Sequence, residues 1–337
     1  MKRSPLSIFI IVLAALLLAS CEVDFSPNAE WKEIPVVYCL LDQDDDTTWA
    51  RVERCYLGDG DIRRYSSVSD SVNYPEGQIE VWLVAYSDGA AVDSMPFDRT
   101  TIDRNPGNFV SEGQPTYFCC TRGWLRENRT YSIRVRRTAD GSVLAENNEP
   151  ISLIVKSTTD SLFTKPQFNY WQGGRTFAFK DGQNSCEIAW NALQGARLYQ
   201  PVVRMYYAVG GDTLHADIKC MQKQASNNAT SYTVSYSESS YLEGVRQHLQ
   251  GDTSSKFYVS VVDLYLTACS EDLNAYLFSV SGSSSAVQES VAYTNIKGGL
   301  GIFAARRLKL YSHMRADDST VPGSGLLWKL KQLNVGF

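Results

Sequence analysis

The sequence predicts an all-β protein made of two β-sandwich domains, with one or two short helices inserted in the second. Three observations lead there. From Trp31 onward the apolar residues recur at every second position rather than every 3.6. The apolar runs are short, and most end at a polar turn cluster rich in Asp, Gly or Ser. The chain of 337 residues carries 19 Tyr and 7 Trp, which suit a pleated, half-buried surface and equally a carbohydrate or protein contact surface.

The elements follow in order. Lys2 and Arg3 precede an apolar run, Ile8 to Leu18, and Leu18-Ala19-Ser20-Cys21 closes it. A basic start, a short apolar stretch and small residues before a cut describe a secretory signal. The run is far shorter than the roughly 20 residues of a spanning helix. A cysteine directly after the cut resembles a bacterial lipoprotein signal. That resemblance implies an acylated Cys21 as the new N-terminus, holding the chain to a membrane by lipid. Residues 1–20 are then the signal peptide and 21–30 the tether. Glu22 follows the cysteine where Asp would favour the inner membrane. The acidic pair Glu22 and Asp24 resembles the signals that send Bacteroidota lipoproteins to the cell surface, with the periplasmic face of the outer membrane as the other location.

Loss of Lys2 and Arg3 with the signal moves the formal charge from −5 to −7. No basic run is present, which argues against nucleic acid as a partner. Seven cysteines remain after Cys21, at positions 39, 55, 119, 120, 186, 220 and 269, and an odd number cannot all pair internally. No C-x-x-C and no Cys/His zinc spacing occurs. Most are expected as buried thiols acting as small hydrophobes. Cys39 and Cys55 fall on consecutive strands, where one bridge is open, and Cys119 and Cys120 must point to opposite faces.

The first strand series occupies residues 31–156. Ile34 to Leu41 ends at the acidic turn Asp42 to Asp46, and Pro35 suits an edge strand. Trp49 to Leu57, Gln78 to Tyr86, Thr116 to Cys120, Tyr131 to Arg137, Val143 to Ala145 and Ile151 to Val155 complete it. Residues 157–166, rich in Ser and Thr, form the expected linker. The second series, residues 167–292, holds strands at Arg175 to Phe179, Cys186 to Trp190, Val203 to Tyr207, Asp212 to Cys220, Thr230 to Tyr236 and Phe257 to Tyr265. Ser237 to Leu249 and Ser270 to Val280 read as helices, each opened by a capping serine. In residues 293–337, Tyr293 to Ala305 carries three glycines among apolar residues, which implies a glycine-permitted turn and close backbone packing rather than a phosphate loop. Leu326 to Leu333 fits a last strand or a short helix.

The segment Cys186 to Tyr207 has a Trp, a Gly-Ala turn, then Tyr and alternating apolar residues. It resembles two consecutive strands of a fibronectin type III domain, so both sandwiches are expected to be immunoglobulin/fibronectin-like, with Trp190 in the core. Over most of its length the chain resembles Bacteroidota outer-membrane lipoproteins of the family catalogued as domain of unknown function 4249. The residues that carry this are Cys21 with its acidic neighbours, Val-Val-Tyr-Cys-Leu-Leu-Asp at 36–42, Ser-Glu-Asp-Leu-Asn-Ala-Tyr-Leu at 270–277 and Tyr-Thr-Asn-Ile-Lys-Gly-Gly-Leu-Gly-Ile-Phe at 293–303. The resemblance implies two sandwich domains, an envelope location and the company of TonB-dependent outer-membrane proteins, and no catalytic residues.

Asp42, Asp44 and Asp46 stand at the first, third and fifth places of a calcium loop, with Glu53 at the twelfth. Thr47 occupies the position that needs Gly, so a solvated acidic turn fits better than a structural calcium, and no other cofactor is expected. Asp-Ser/Thr-apolar triplets resemble the acceptor motif for O-linked glycans in Bacteroidota envelope proteins, and the resemblance makes Ser71, Ser94, Ser161 and Thr213 candidate acceptors. G-x-S-x-G, H-E-x-x-H and S-x-x-K are absent, and His215, His248 and His313 adjoin no obvious nucleophile, so no enzyme is expected. The expected function is a non-enzymatic binding or scaffold subunit docked on an outer-membrane β-barrel, such as a TonB-dependent transporter or an assembly or export machine, presenting its loops and the Gly motif to that partner. The alternatives are a fimbrial or adhesin-type subunit, distinguished by whether Leu326 to Phe337 is ordered in its own chain, and a glycan-binding protein with an exposed platform among Trp49, Trp82, Trp124 and Trp171.

Overall fold

The structure is a computed structural model that describes residues 33–55, 68–105, 110–155, 162–165, 168–169, 174–177, 185–209, 212–248, 256–281 and 293–316. Strands dominate it. The first series gives β1 (Pro35–Leu41), β2 (Thr47–Arg54), the short helix α1 (Ser69–Val72), β3 (Ile79–Ser87), β4 (Ala90–Pro96), β5 (Asp98–Ile102), β6 (Gln114–Cys120), β7 (Thr130–Arg137), β8 (Val143–Asn147) and β9 (Ile151–Ser152). The second gives β10 (Phe163–Lys165), β11 (Phe168–Asn169), β12 (Gly174–Phe177), β13 (Ser185–Asn191), β14 (Leu198–Val209), β15 (Asp212–Lys219), β16 (Lys223–Gln224), β17 (Ser231–Ser237), helix α2 (Glu238–His248), β18 (Lys256–Cys269) and helix α3 (Glu271–Ser281). β19 (Ile296–Lys297) and β20 (Leu300–Ala316) follow. Among the described residues no helix is long and apolar enough to cross a membrane.

Alternation builds the first sandwich. Along β1 every second residue is buried, and Val37, Cys39 and Leu41 face Val81, Leu83, Ile133 and Val135 of the opposing sheet within one apolar cluster. One sheet runs β20-β1-β2-β6-β5 and the other β19-β8-β7-β3-β4. In the second sandwich β15-β14-β18-β20 lies against β10-β13-β17. Trp190 is fully buried there among Tyr199 and Tyr232, at ring distances of 5.5 and 6.1 Å.

Three tyrosines brace turns by the same device. The Tyr131 hydroxyl accepts from the backbone N–H of Arg126 and donates to its carbonyl, and Tyr199 does so on Leu193 and Tyr232 on Ser226. Such a tyrosine corner belongs to immunoglobulin-like sandwiches, and it occurs in both units.

β20 joins the two units. Its first part pairs in parallel with β1, from Val36↔Leu300 to Leu41↔Ala305, and its second part pairs antiparallel with β18, from Cys269↔Arg306 onward. The main apolar cluster correspondingly runs through both sandwiches, and a smaller one, with Leu198, Cys269, Leu273, Ile302 and Ala304, lies between β20 and α3. Within the expected linker, residues 163–165 are strand β10, with Phe163 in the main cluster. β1 is therefore an interior strand, not the edge strand its proline suggested. Pro35 is tolerated because it is the first residue, one ahead of the pairing with β20.

The Gly motif makes the crossing. Lys297 belongs to one sheet of the first sandwich and Leu300 to the other. Three residue steps span about 10 Å, the distance between packed sheets, so the chain must run straight across. Gly301 has φ +105°, and a Cβ there would lie 2.0 Å from the Val37 carbonyl oxygen, while one on Gly299 would lie 2.5 Å from that of Pro35. The β20 groups turned away from β1 are met by side chains. Asn295 accepts from the Phe303 N–H and donates to its carbonyl, at 2.9 and 2.7 Å, and Ser270 accepts from the Ala305 N–H.

Candidate functional site

The acidic turn between β1 and β2 is taken up by arginines. Arg307, 4% exposed, donates through Nε and Nη2 to both carboxylate oxygens of Asp44 at 2.8 and 3.0 Å, and through Nη1 to the Ile154 carbonyl. Asp42 is buried and accepts from the backbone N–H groups of Asp44 and Leu308. Burial pushes its carboxyl above the ordinary range, against those two bonds. Asp46 points elsewhere, to Arg122, whose hydrogen bond holds its pKa down. The three calcium candidates thus hold separate partners, and Asp42 and Asp44 tie β20 to the first sandwich. Among the described residues no group of three or more His, Cys, Asp or Glu side chains is arranged to hold a metal.

The Gly motif is mostly interior, with Asn295, Ile296 and residues 301–305 buried, Tyr293 and Thr294 half-buried, and the turn around Lys297 to Leu300 reaching solvent. Its interior part closes the fold, and its turn, with Leu300 44% exposed, is the part open to solvent.

The outer face of β1-β2-β6-β5 carries the exposed tryptophan. Trp49 on β2 is 48% exposed, and its cross-strand neighbour Phe118 on β6 lies 5.4 Å away with 35° between the ring planes. Asp98 on β5 pairs with Phe118 and is exposed. Two residues along β2, Arg51 donates through Nε and Nη2 to Glu53, both at 2.6 Å, and its guanidinium sits over Tyr38 at 5.8 Å. Arg104 also donates to Glu53, at 2.8 Å. Burial, then the neighbouring Tyr276 hydroxyl, raises the Tyr38 phenol to about 12, so it stays protonated. Further along, Gln114 and Thr116 are buried, and Asn73 just after α1 donates to Gln114. The face is open around Trp49 and Phe118 and walled beyond them.

Of the other tryptophans, Trp82 donates its indole N–H to Glu80, Trp124 donates to Asp93 and packs on Tyr131, and Trp171 lies outside the described residues. Ser94 on β4 and Thr213 on β15 are exposed on strands at sheet ends, Ser71 in α1 is half-buried, and Ser161 lies outside the described residues. So do Cys21 and Leu326 to Phe337. His215 is exposed beside Tyr206. No disulfide joins the seven cysteines from Cys39 to Cys269. Cys39 and Cys55 cannot meet, because Cys55 lies opposite Ile34 and Cys39 opposite Ala50. Cys119 is buried and Cys120 exposed, as alternation requires.

A cleft of about 510 Å³ lies between the β8–β9 turn and the start of α3. Across it Arg197 bonds Glu271 at 3.0 Å and Tyr293 donates to Asp272 at 2.7 Å. Compared with known protein families and with curated proteins, the chain matches none.

Proposed function

We propose that the chain is a lipid-anchored outer-membrane or cell-surface lipoprotein, related to the family it resembles, and a non-enzymatic binding or scaffold subunit of an outer-membrane protein complex. The observation that carries this reading is Leu18-Ala19-Ser20-Cys21 behind a basic start and a short apolar run. The two sandwiches support it, since a strand shared between them holds their outer faces and loops in one fixed frame for a partner. A TonB-dependent transporter or an assembly or export machine is the partner class.

The alternative is a fimbrial subunit. Polymerisation by strand exchange needs an edge left for a donor; the edge of β1 is filled by the chain's own β20, while β4, β5 and β15 stand at sheet ends.

Two measurements test the reading. Metabolic labelling with an alkyne fatty acid is expected to mark the intact chain and not Cys21→Ser, which leaves the membrane fraction. Purification from native membranes in mild detergent is expected to recover a stoichiometric β-barrel protein. An unlabelled wild-type chain contradicts the anchor, a lone monomer contradicts the scaffold role, and a ladder of self-polymers favours the fimbrial one.

A further inference from the structure

We infer that the open end of the first sheet's outer face, with Trp49 and Phe118 as its floor and Arg51 and Asp98 at its flanks, binds a neutral sugar ring. This deepens the reading of the chain as a binding subunit, and it does not depend on the membrane address.

Trp49 is the described tryptophan most open to water. Trp190 lies in the core, and Trp82 and Trp124 have carboxylate partners for their indole N–H groups. Among the described residues nothing takes the N–H of Trp49. Leaving half of an indole in water forgoes apolar burial that a ligand would restore.

The two rings lie on adjacent strands, in register, 5.4 Å apart and tilted by only 35°. At that separation the rings are offset and partly stacked, so Trp49 offers the open ring face and Phe118 lies against it as a half-buried apolar neighbour. The axial C–H bonds of a pyranose form a flat, weakly positive face that matches the negative face of such rings.

The flanks suit hydroxyls, which both donate and accept. Arg51 spends Nε and Nη2 on Glu53 and retains Nη1 as a donor, while the Asp98 carboxylate is an acceptor beyond Phe118. One cation, itself half-compensated by Glu53, and one anion give no preference for a charged ligand. An apolar peptide side chain would match the floor but would desolvate both charged flanks without bonding them. The buried Gln114 and Thr116, with α1 beside them, supply a wall for the ring to abut.

The test is a titration of the full chain as purified from its native cells, in a sugar-free detergent, with cellohexaose, maltohexaose and N-acetylglucosamine hexamer, read by tryptophan fluorescence and by calorimetry. At least one is expected to bind. Trp49→Ala is expected to weaken that binding about tenfold or more and Phe118→Ala about threefold. Trp82→Phe on the other sheet is expected to leave it unchanged. Trp49 is half exposed, so its alanine variant is expected to keep the wild-type melting curve, which confirms folding. Binding of none of the three sugars overturns the inference, as does binding that Trp49→Ala leaves intact. If Trp49→Ala instead strips a co-purifying protein while sugar affinity stays, the face is a protein dock and the inference is wrong. Each of these failures leaves the labelling of Cys21 untouched, so the two readings fail separately.

Discussion

The two sandwiches are closed in different ways. In the second, β14, β15 and β18 come from one stretch of chain, and β13 and β17 pair across the core from the same stretch. In the first, β1 has β2 on one side, and its other side waits for residues 300–305 from the far end of the described chain. The same strand then continues into the second sheet. The first unit is therefore complete only when the second is in place, and its closing contacts have the largest sequence separation in the fold. Such contacts form late and slowly, because loop closure comes before any gain from pairing.

The sharpest way to break the contrast is at the crossing. Gly301→Val sets a branched side chain at φ +105° and a Cβ 2.0 Å from the Val37 carbonyl oxygen. The expected outcome is loss of β20 from β1 and a destabilisation above about 4 kcal/mol, seen in urea unfolding or as failure to fold. Gly141→Ala separates strain from collision. It has φ +69° with nothing within 4 Å of an added Cβ, and the expected cost is about 1 kcal/mol.

Next in size is the anchor beside that crossing. Arg307→Leu leaves Asp44 and the Ile154 carbonyl without their donor. The expected cost is about 3 kcal/mol, below the top of the range for buried pairs because water reaches Asp44. Tyr131→Phe, which keeps the ring and removes one braced turn, is expected to cost about 1 kcal/mol. Both are read as shifts of the urea midpoint at unchanged slope.

The smallest effect concerns pH, and its sign differs between the units. Burial raises the Asp42 pKa in the folded state, so its charged form opposes folding near neutrality, and stability is gained as pH falls through the folded value. On α2 of the second unit, the Arg246 and Gln247 hydrogen bonds hold Glu243 down at about 2. Its contribution is present above the ordinary carboxylate range and is lost as pH falls toward about 2. Asp42→Asn is expected to flatten the change in melting temperature between neutral and weakly acidic buffer, and Glu243→Gln only the change in more acidic buffer.

Much of this was legible in the residues, for local reasons. β1, β2, β3 and β7 alternate because one face meets a core, and α2 and α3 begin within one residue of their expected starts because serines 237 and 270 stand at their caps. Trp190 is in the core as its pattern implied. β4 and β5 were not legible, since β4 is exposed almost throughout and neither strand has an apolar period. The glycines of the crossing announced close packing but not what they approach, because Val37 lies far away in sequence. The acidic turn read as a turn, yet the partner of Asp44 is 263 residues distant. Cys39 lies on β1 as expected, but Cys55 falls one residue past the end of β2, opposite Ile34, so the pair is apart along the strand direction. The candidate platform shows the same limit. Trp49 was one of four tryptophans with equal claim, and only its surroundings single it out.

The central claim is that β20 makes the two sandwiches one cooperative unit. The direct measurement is equilibrium urea unfolding of the wild-type protein followed by hydrogen exchange and mass spectrometry, comparing peptides from β3 and β7 with peptides from β13 and β17. The account predicts one transition, with the same midpoint and slope in both sets. Two separated transitions, with either sandwich retaining its protection after the other has lost it, would contradict it.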